Sequence, residues 1–266
     1  NGEFTKDDII AFVQYDDIVR EQEKWDSENM EDEEWKNPYY GFPQMIRFAF
    51  NLNQSSIDRL NQMKNTGVDF HLNTLFRPAS LNKDEDNNYK KFKYENEVLD
   101  LLYAIDGAKT DENIFSFLNY DKIKKGKMCR HIVMVLPYRA SCDAMENMLK
   151  NNHFNNLNDY ELINVAGLDS PKKYSNAVNN VINVINDIKN HEEKDQKTIT
   201  LTVGRMLTGS TVEYWDTMIY LKDTLSPQEY DQAIFRLQSQ YKFKIYYFEK
   251  WHKLTQCGIG WHGFGC

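Results

Sequence analysis

Cysteine is scarce in this 266-residue chain: Cys129, Cys142, Cys257 and Cys266 are the four it has. That is too few for a disulfide framework at this size, and a reducing cytoplasm is the expected compartment. Long apolar runs are also lacking. Nothing approaches the ~20 residues of a membrane span and no signal-peptide pattern opens the chain, so no membrane association is expected. Positive charge is not in excess either, since the formal net charge is −8. The balance is uneven, because residues 1–36 hold thirteen Asp/Glu against four Lys/Arg. The rest is close to neutral, with a local basic cluster from Lys122 to Arg130. Global charge therefore neither supports nor excludes a nucleic-acid partner. What is present is a hydrophobic content of 41% with 14% aromatics, the composition of a folded globular protein.

The patterning divides the chain into four parts. Residues 1–40 form an acidic, helix-compatible segment closed by the Pro/Gly stop Asn37-Pro-Tyr-Tyr-Gly-Phe-Pro43. Residues 41–125 form an irregular insertion or cap of mixed α and β character, in which Phe92 to Ile105 has helical spacing. Residues 126–250 are regular. Buried-strand runs are expected at Ile132–Leu136, Leu162–Ala166, Thr198–Val203, Met218–Leu221 and Ile245–Phe248. Between them lie a helix around Ala144 to Leu149, a helix with Ala177, Val178, Val181, Ile182, Ile185 and Ile188 on one stripe, and a helix from Pro227 to Gln240. Strands alternating with helices imply an α/β fold with a parallel, helix-covered sheet. Residues 251–266 form a Gly-rich tail.

The helix at 227–240 has strong local start signals. Ser226 is an N-cap, Pro227 takes the first helical position and Glu229 completes a Ser-x-x-Glu capping box. Tyr230, Ala233, Ile234 and Leu237 fall on one side, with Gln232, Arg236 and Ser239 on the other. Taken alone, Gln232 and Arg236 read first as the solvated face of an amphipathic helix, with a functional pair as the alternative. Upstream, Gly204 follows a buried strand and Thr208-Gly-Ser-Thr211 precedes the next. This small-residue loop is either an ordinary turn or a phosphate-oxygen site beyond a strand's carboxyl end. The cluster from Lys122 to Arg130, with Lys124 and Lys125, is a solvated turn or a contact to a phosphate backbone, and Arg139 is a further candidate DNA contact. In the tail, His252, Cys257, His262 and Cys266 are metal-compatible residue types, but Cys-x8-Cys matches no zinc-finger spacing and no metal site is expected.

The segments Leu201-Thr-Val-Gly-Arg-Met-Leu-Thr-Gly-Ser-Thr-Val-Glu-Tyr-Trp-Asp-Thr217 and Leu221-Lys-Asp-Thr-Leu-Ser-Pro-Gln-Glu-Tyr-Asp-Gln-Ala-Ile-Phe-Arg236 together resemble the last two motifs of superfamily 2 DEAD-like helicases. The form is that of the C-terminal motor lobe of the helicase subunit in type III-like restriction enzymes. His131-Ile-Val-Met-Val-Leu-Pro-Tyr-Arg-Ala-Ser-Cys-Asp-Ala-Met145 resembles that lobe's opening strand and helix. The resemblance spans roughly residues 37–241 and is strong from 129 onward. It implies a RecA-like lobe, ATP and Mg2+ as cofactors and DNA as partner. It implies that Thr202, Gly204, Arg205, Thr208, Gly209 and Thr211 couple DNA to the nucleotide, that Arg236 acts as an arginine finger, and that Gln232 positions the site. Phe235 and Ser239 stand where the wider superfamily has Gly and a second Arg, which leaves Arg236 as the finger candidate on this helix.

Two parts of such a motor have no convincing counterpart. No Gly-x-x-x-x-Gly-Lys-Ser/Thr loop occurs: Gly107-Ala-Lys-Thr110 imitates its end, but residues 101–105 read as helix. Asp32-Glu-Glu-Trp35 imitates an acidic metal motif without the strand that should deliver it. The expectation is a half-engine, silent alone, completed by an N-terminal lobe in the same parent chain and served by a nuclease or methyltransferase subunit. The alternatives are a non-catalytic binding module derived from such a lobe and, more remotely, a metal-dependent nuclease fragment, for which no Asp…Glu-x-Lys strand is found.

Overall fold

The computed structural model describes residues 9–13, 17–30, 46–50, 71–107, 119–174, 180–204, 212–238 and 264–265. Its centre is a four-stranded all-parallel array, β3 (His131–Val135), β4 (Tyr160–Asn164), β5 (Lys197–Thr202) and β6 (Thr217–Tyr220), in the order β6-β3-β5-β4. Three short strands extend the sheet beyond β6 in the order β1-β2-β7: β1 (Ile9–Val13), β2 (Ile46–Phe50) and β7 (Phe264–Gly265). The helices are α1 (Asp17–Glu28), α2 (Leu72–Leu75), α3 (Glu95–Asp106), α4 (Tyr120–Lys124), α5 (Arg139–Asn151), α6 (Asn180–Glu192) and α7 (Pro227–Ile234), the last tightening into a 3-10 turn at Phe235–Gln238. No helix of the described residues is long and apolar enough to cross a membrane.

The parallel array has no wet face. All five residues of β3 and all six of β5 are buried, as a strand covered by helices on both sides requires. Side-chain alternation divides the core in two. Ile132, Met134, Ile199 and Leu201 face α5 and α3, against Met145, Met148, Leu149, Val98 and Leu102. Val133, Val135, Ile163 and Met218 face α6 and α7, against Val184, Ile188, Ala233, Leu237 and the fully buried Trp215. The three threonines of β5 tolerate burial because each hydroxyl has a partner. Thr198 meets the His131 ring at 3.0 Å, Thr200 accepts from the Trp215 indole at 3.2 Å, and Thr202 donates to the Val203 carbonyl at 3.1 Å. This is the helix-flanked parallel sheet that the sequence pattern implies for an α/β, RecA-like lobe.

The differences from the sequence reading are local. β4 begins two residues before Leu162, because Tyr160 donates its hydroxyl to the Cys129 carbonyl and turns inward. On α6 the stripe is Val181, Val184, Ile185 and Ile188, and Ile182 is 57% exposed; at ~100° per residue it falls outside the face that 184 and 188 define. In the acidic N-terminal segment, Ile9–Val13 pairs antiparallel with Ile46–Phe50, since a run of β-branched and aromatic residues suits a strand better than a helix. Phe264–Gly265 of the Gly-rich tail pairs between β2 and β6. The expected strand Ile245–Phe248 lies outside the described residues.

These placements make a paired test. Ile188→Ala is expected to cost about 2–5 kcal/mol of unfolding free energy and Ile182→Ala to stay within about 0.5 kcal/mol, read from urea midpoints. Equal costs would contradict the assigned α6 face.

Candidate functional site

The chain leaves β3 and β5 in opposite directions. From β3 it passes through α5, on one face, to the outer strand β4; from β5 it crosses over β3 through Val212–Trp215, on the other face, to β6. The carboxyl ends of β3 and β5 therefore flank a topological switch point, the place where open parallel sheets present ligand sites. Gly204 stands there. A Cβ at this residue would come within 2.9 Å of Glu229 Oε1 and 3.3 Å of Lys222 Nζ, so Gly204 lies against the side chains of Lys222 and of Glu229 in the first turn of α7.

That first turn is built as the sequence suggests, but by half. The Glu229 amide donates to Ser226 Oγ at 3.2 Å. The Glu229 carboxylate does not return the favour. It accepts from Lys222 Nζ at 2.5 Å and from the Thr224 hydroxyl at 2.9 Å, and Ser226 N–H donates to Thr224 Oγ1 at 3.2 Å. Lys222 above all holds the Glu229 carboxyl below its usual range. Beside this cluster Tyr220 is buried, and that burial above all pushes its pKa up to about 12. Ala233 and Leu237 anchor α7 in the core, and Tyr230 meets the Tyr220 ring edge-on at 5.4 Å. Gln232 is exposed and Arg236 half-buried. The change to three residues per turn after Ile234 carries Arg236 roughly 40° further round than a continued α-helix would.

The remaining candidates scatter. Thr202 is fully buried, its hydroxyl held by the neighbouring carbonyl. Arg205, Thr208, Gly209, Thr211 and Ser239 lie outside the described residues, as do Asp32–Trp35 and the tail's histidines and cysteines. Gly107 is the left-handed C-cap of α3, with φ 73°, which is a helix end. Lys124 and Lys125 are exposed, but they sit at the amino edge of the sheet, since Lys197, the first residue of β5, donates to the Ile123 carbonyl at 3.3 Å. Arg130, from the same basic cluster, is buried at that edge and paired with Glu192 at 2.5 Å and Asp195 at 2.7 Å. Arg139 is at the carboxyl edge, where its guanidinium donates to the Ala166 and Gly167 carbonyls at 2.9 and 3.1 Å. The structure thus brings Gly204, the first turn of α7 and Arg139 to one edge and leaves Lys124 and Lys125 at the other, with Gln232 and Arg236 further along α7 and its 3-10 extension. Among the described residues no group of three or more His, Cys, Asp or Glu side chains is placed to hold a metal ion.

The sequence reading missed a strap. Residues 71–94 run along the carboxyl edge and tie its loops together. Asn73 and Asp223 exchange backbone-to-side-chain bonds of 2.9 and 3.0 Å, beyond β6. Ser141, at the start of α5, donates to the Phe76 carbonyl at 2.7 Å. Beyond β4, Asp169 collects Lys83 at 2.5 Å, Lys90 at 2.6 Å and the Tyr89 hydroxyl at 2.9 Å. Lys83 first, then Lys90, hold the Asp169 carboxyl far below the usual carboxylate range. Asp169 itself is positioned by Asp143, which accepts from the Leu168 and Asp169 amides, while its own burial raises its pKa. One signal of the strap stands in the sequence: Tyr89-Lys-Lys-Phe-Lys-Tyr94 interleaves cations with aromatics.

No known protein-family profile matches the chain. A Mycoplasma pneumoniae protein named "Putative type II restriction enzyme and methyltransferase RM.MpnORF110P C-terminus" is 29% identical to it over 252 residues, covering 91% of this chain and 33% of that protein. The chain spans about a third of that relative's length.

Asp169→Asn is expected to loosen the strap without unfolding the lobe. Exposed ion pairs contribute about 0.2–1 kcal/mol each, so amide exchange at Lys90 to Lys93 should speed up several-fold at pH 7 while the global unfolding midpoint barely moves. Because the folded carboxyl is depressed, its contribution is complete above its unfolded value near 3.9 and fades as pH falls through the lower folded one. The variant should lack that acid-side loss. Unchanged exchange would contradict the strap's dependence on Asp169.

Proposed function

We propose that the chain is the second, RecA-like motor lobe of an ATP-dependent DNA helicase or translocase of a restriction system. The observation that carries the reading is the seating of Gly204, at the carboxyl end of β5 beside the switch point, against the first turn of the helix that bears Gln232 and Arg236. The Mycoplasma relative, by the restriction enzyme in its name, supports the system to which the lobe is assigned.

Arg236 is the group suited to charge that develops on a transferring phosphoryl group, because its guanidinium is planar and permanently protonated. It is half-buried in the 3-10 turn that follows α7, where Ala233 and Leu237 fix the backbone around it. Gln232, one α-turn earlier and exposed, orients it or the attacking water. ATP supplies the phosphoryl group for transfer to water. In this reading the phosphate loop and the Mg2+ carboxylates belong to an N-terminal lobe in the same parent polypeptide, with a nuclease or methyltransferase subunit as a further partner.

One observation favours a second reading, a binding module without turnover. The strap engages the loops beyond β6, β3 and β4 with side chains that in an active lobe would be free to meet a partner lobe.

ATP turnover with and without DNA separates the two. The 266 residues alone are expected to hydrolyse no ATP; completed by an N-terminal lobe they should gain DNA-stimulated turnover. Arg236→Ala should then lower kcat by about 10³-fold or more, with little rescue by Arg236→Lys. Robust hydrolysis by the lone chain would overturn the half-engine reading, and full activity of Arg236→Ala would overturn the finger.

A further inference from the structure

The strap carries a second feature that its clamp on Asp169 does not use. Pro78 and Phe92 face each other in an antiparallel bridge, framed by Ala79 N–H to Lys91 carbonyl at 2.8 Å and Lys93 N–H to Arg77 carbonyl at 2.9 Å. Both bridge residues point inward. Phe92 is 3% exposed and packs edge-on against Phe76 with centroids 5.9 Å apart. Side chains alternate across a strand, so Arg77, Lys91 and Lys93 all project from the opposite, solvent side of this ribbon. All three are exposed. No carboxylate of the described residues pairs with them, in contrast to Lys83 and Lys90 beside them, which are consumed by Asp169. Arg77 reaches over the Tyr138 ring, 6.0 Å from its centroid, which places this end of the patch at the mouth of the switch point between β3 and β5.

Three exposed cations on one face, without a carboxylate partner among the described residues, stand out on a chain with net charge −8. We propose that the outer face of this ribbon, Arg77, Lys91 and Lys93, docks the phosphate backbone of duplex DNA and leads it along the carboxyl edge toward Gly204. The occupant is a duplex rather than a single strand, because the neighbouring rings are engaged within the protein: Tyr138 lies under Arg77 and Tyr94 under Lys93, at 5.5 Å. Phosphate contact is what this surface offers, and stacking platforms for unpaired bases are not. The assignment moves the DNA contact from Lys124 and Lys125, at the amino edge, to the edge that carries the rest of the candidate site. It deepens the motor-lobe reading and rests on its choice of DNA as partner.

The test is binding of the full chain to a mixed-sequence duplex oligonucleotide, and to one of its single strands, by fluorescence anisotropy across a salt series. Neutralising the patch with Arg77→Gln, Lys91→Gln and Lys93→Gln removes three phosphate contacts. It should lower the slope of log affinity against log salt by about 2–3 and weaken low-salt binding about 10- to 100-fold. The charge-keeping set Arg77→Lys, Lys91→Arg and Lys93→Arg should retain the slope, and Lys124→Gln with Lys125→Gln should leave it unchanged. The three side chains are exposed, so an unaltered thermal melt accompanies the loss. An unchanged slope in the glutamine set, preference for the single strand, absence of duplex binding by the wild-type chain, or loss confined to the Lys124/Lys125 pair each overturns the docking face. None of these bears on ATP turnover by the completed motor, which tests the motor-lobe reading separately.

Discussion

A strand with no solvent face sets the terms for everything around it. β3 is buried along its whole length and paired on both edges, to β5 and to β6. Such a strand must be delivered with its backbone groups already committed. At its start the Asp216 carboxylate accepts from the Arg130 and His131 amides at 2.7 and 3.2 Å. Past its end, the Leu136 amide donates to the Thr202 carbonyl, and Leu221 N–H donates back to the Val135 carbonyl, both at 2.8 Å. The switch point is a consequence. Because the crossovers from β3 to β4 and from β5 to β6 run in opposite directions along the sheet, a common right-handedness puts them on different faces, and the crevice between their carboxyl ends follows.

The two edges of the sheet are finished by different chemistry. At the amino edge most of the polar groups are internal: His131 joins Thr198 and Glu192, Arg130 joins Glu192 and the exposed Asp195, and Asp106 gathers the amides of Asn155, Asn156 and Leu157. Removing one partner there leaves a buried charge, so this edge resists rearrangement. At the carboxyl edge the strap is held by contacts that stay partly in water, such as Lys83 and Lys90 on Asp169. Those cost little to break.

The sheet was legible in the sequence because its signal is local. Continuous runs such as Ile132 to Leu136 and the helical spacing of Ala144 to Leu149 follow from burial alone, and each of the four parallel strands falls within two residues of its expected place. The small errors arise where a tertiary bond overrides a pattern: Tyr160 turned in by the Cys129 carbonyl, Glu229 drawn from its capping box by Lys222 and Thr224, and Ile182 exposed because α6 meets the sheet through Val184 and Ile188. The strap was not legible as a strap. Its partners stand far away in sequence, Asn73 with Asp223 and Lys83 with Asp169, and no periodicity encodes such pairs. Its basic-aromatic run was visible, but only the buried Phe92 reveals which neighbours face water.

The same asymmetry decides how the candidate residues should be weighed. Sequence proximity made Lys122 to Arg130 look like one basic cluster, yet folding divides it. Arg130 becomes an internal ion-pair partner, while Lys124 and Lys125 remain at the edge farthest from Gly204. Residues 77 and 91–93, distant from each other in the chain, become one surface through two backbone hydrogen bonds and a bridge. A charged residue near a motif in sequence therefore says little here about function. What matters is the strand end at which the fold deposits it, and by that criterion the exposed cations of the strap and Arg139 lie at the carboxyl edge, beside the switch point.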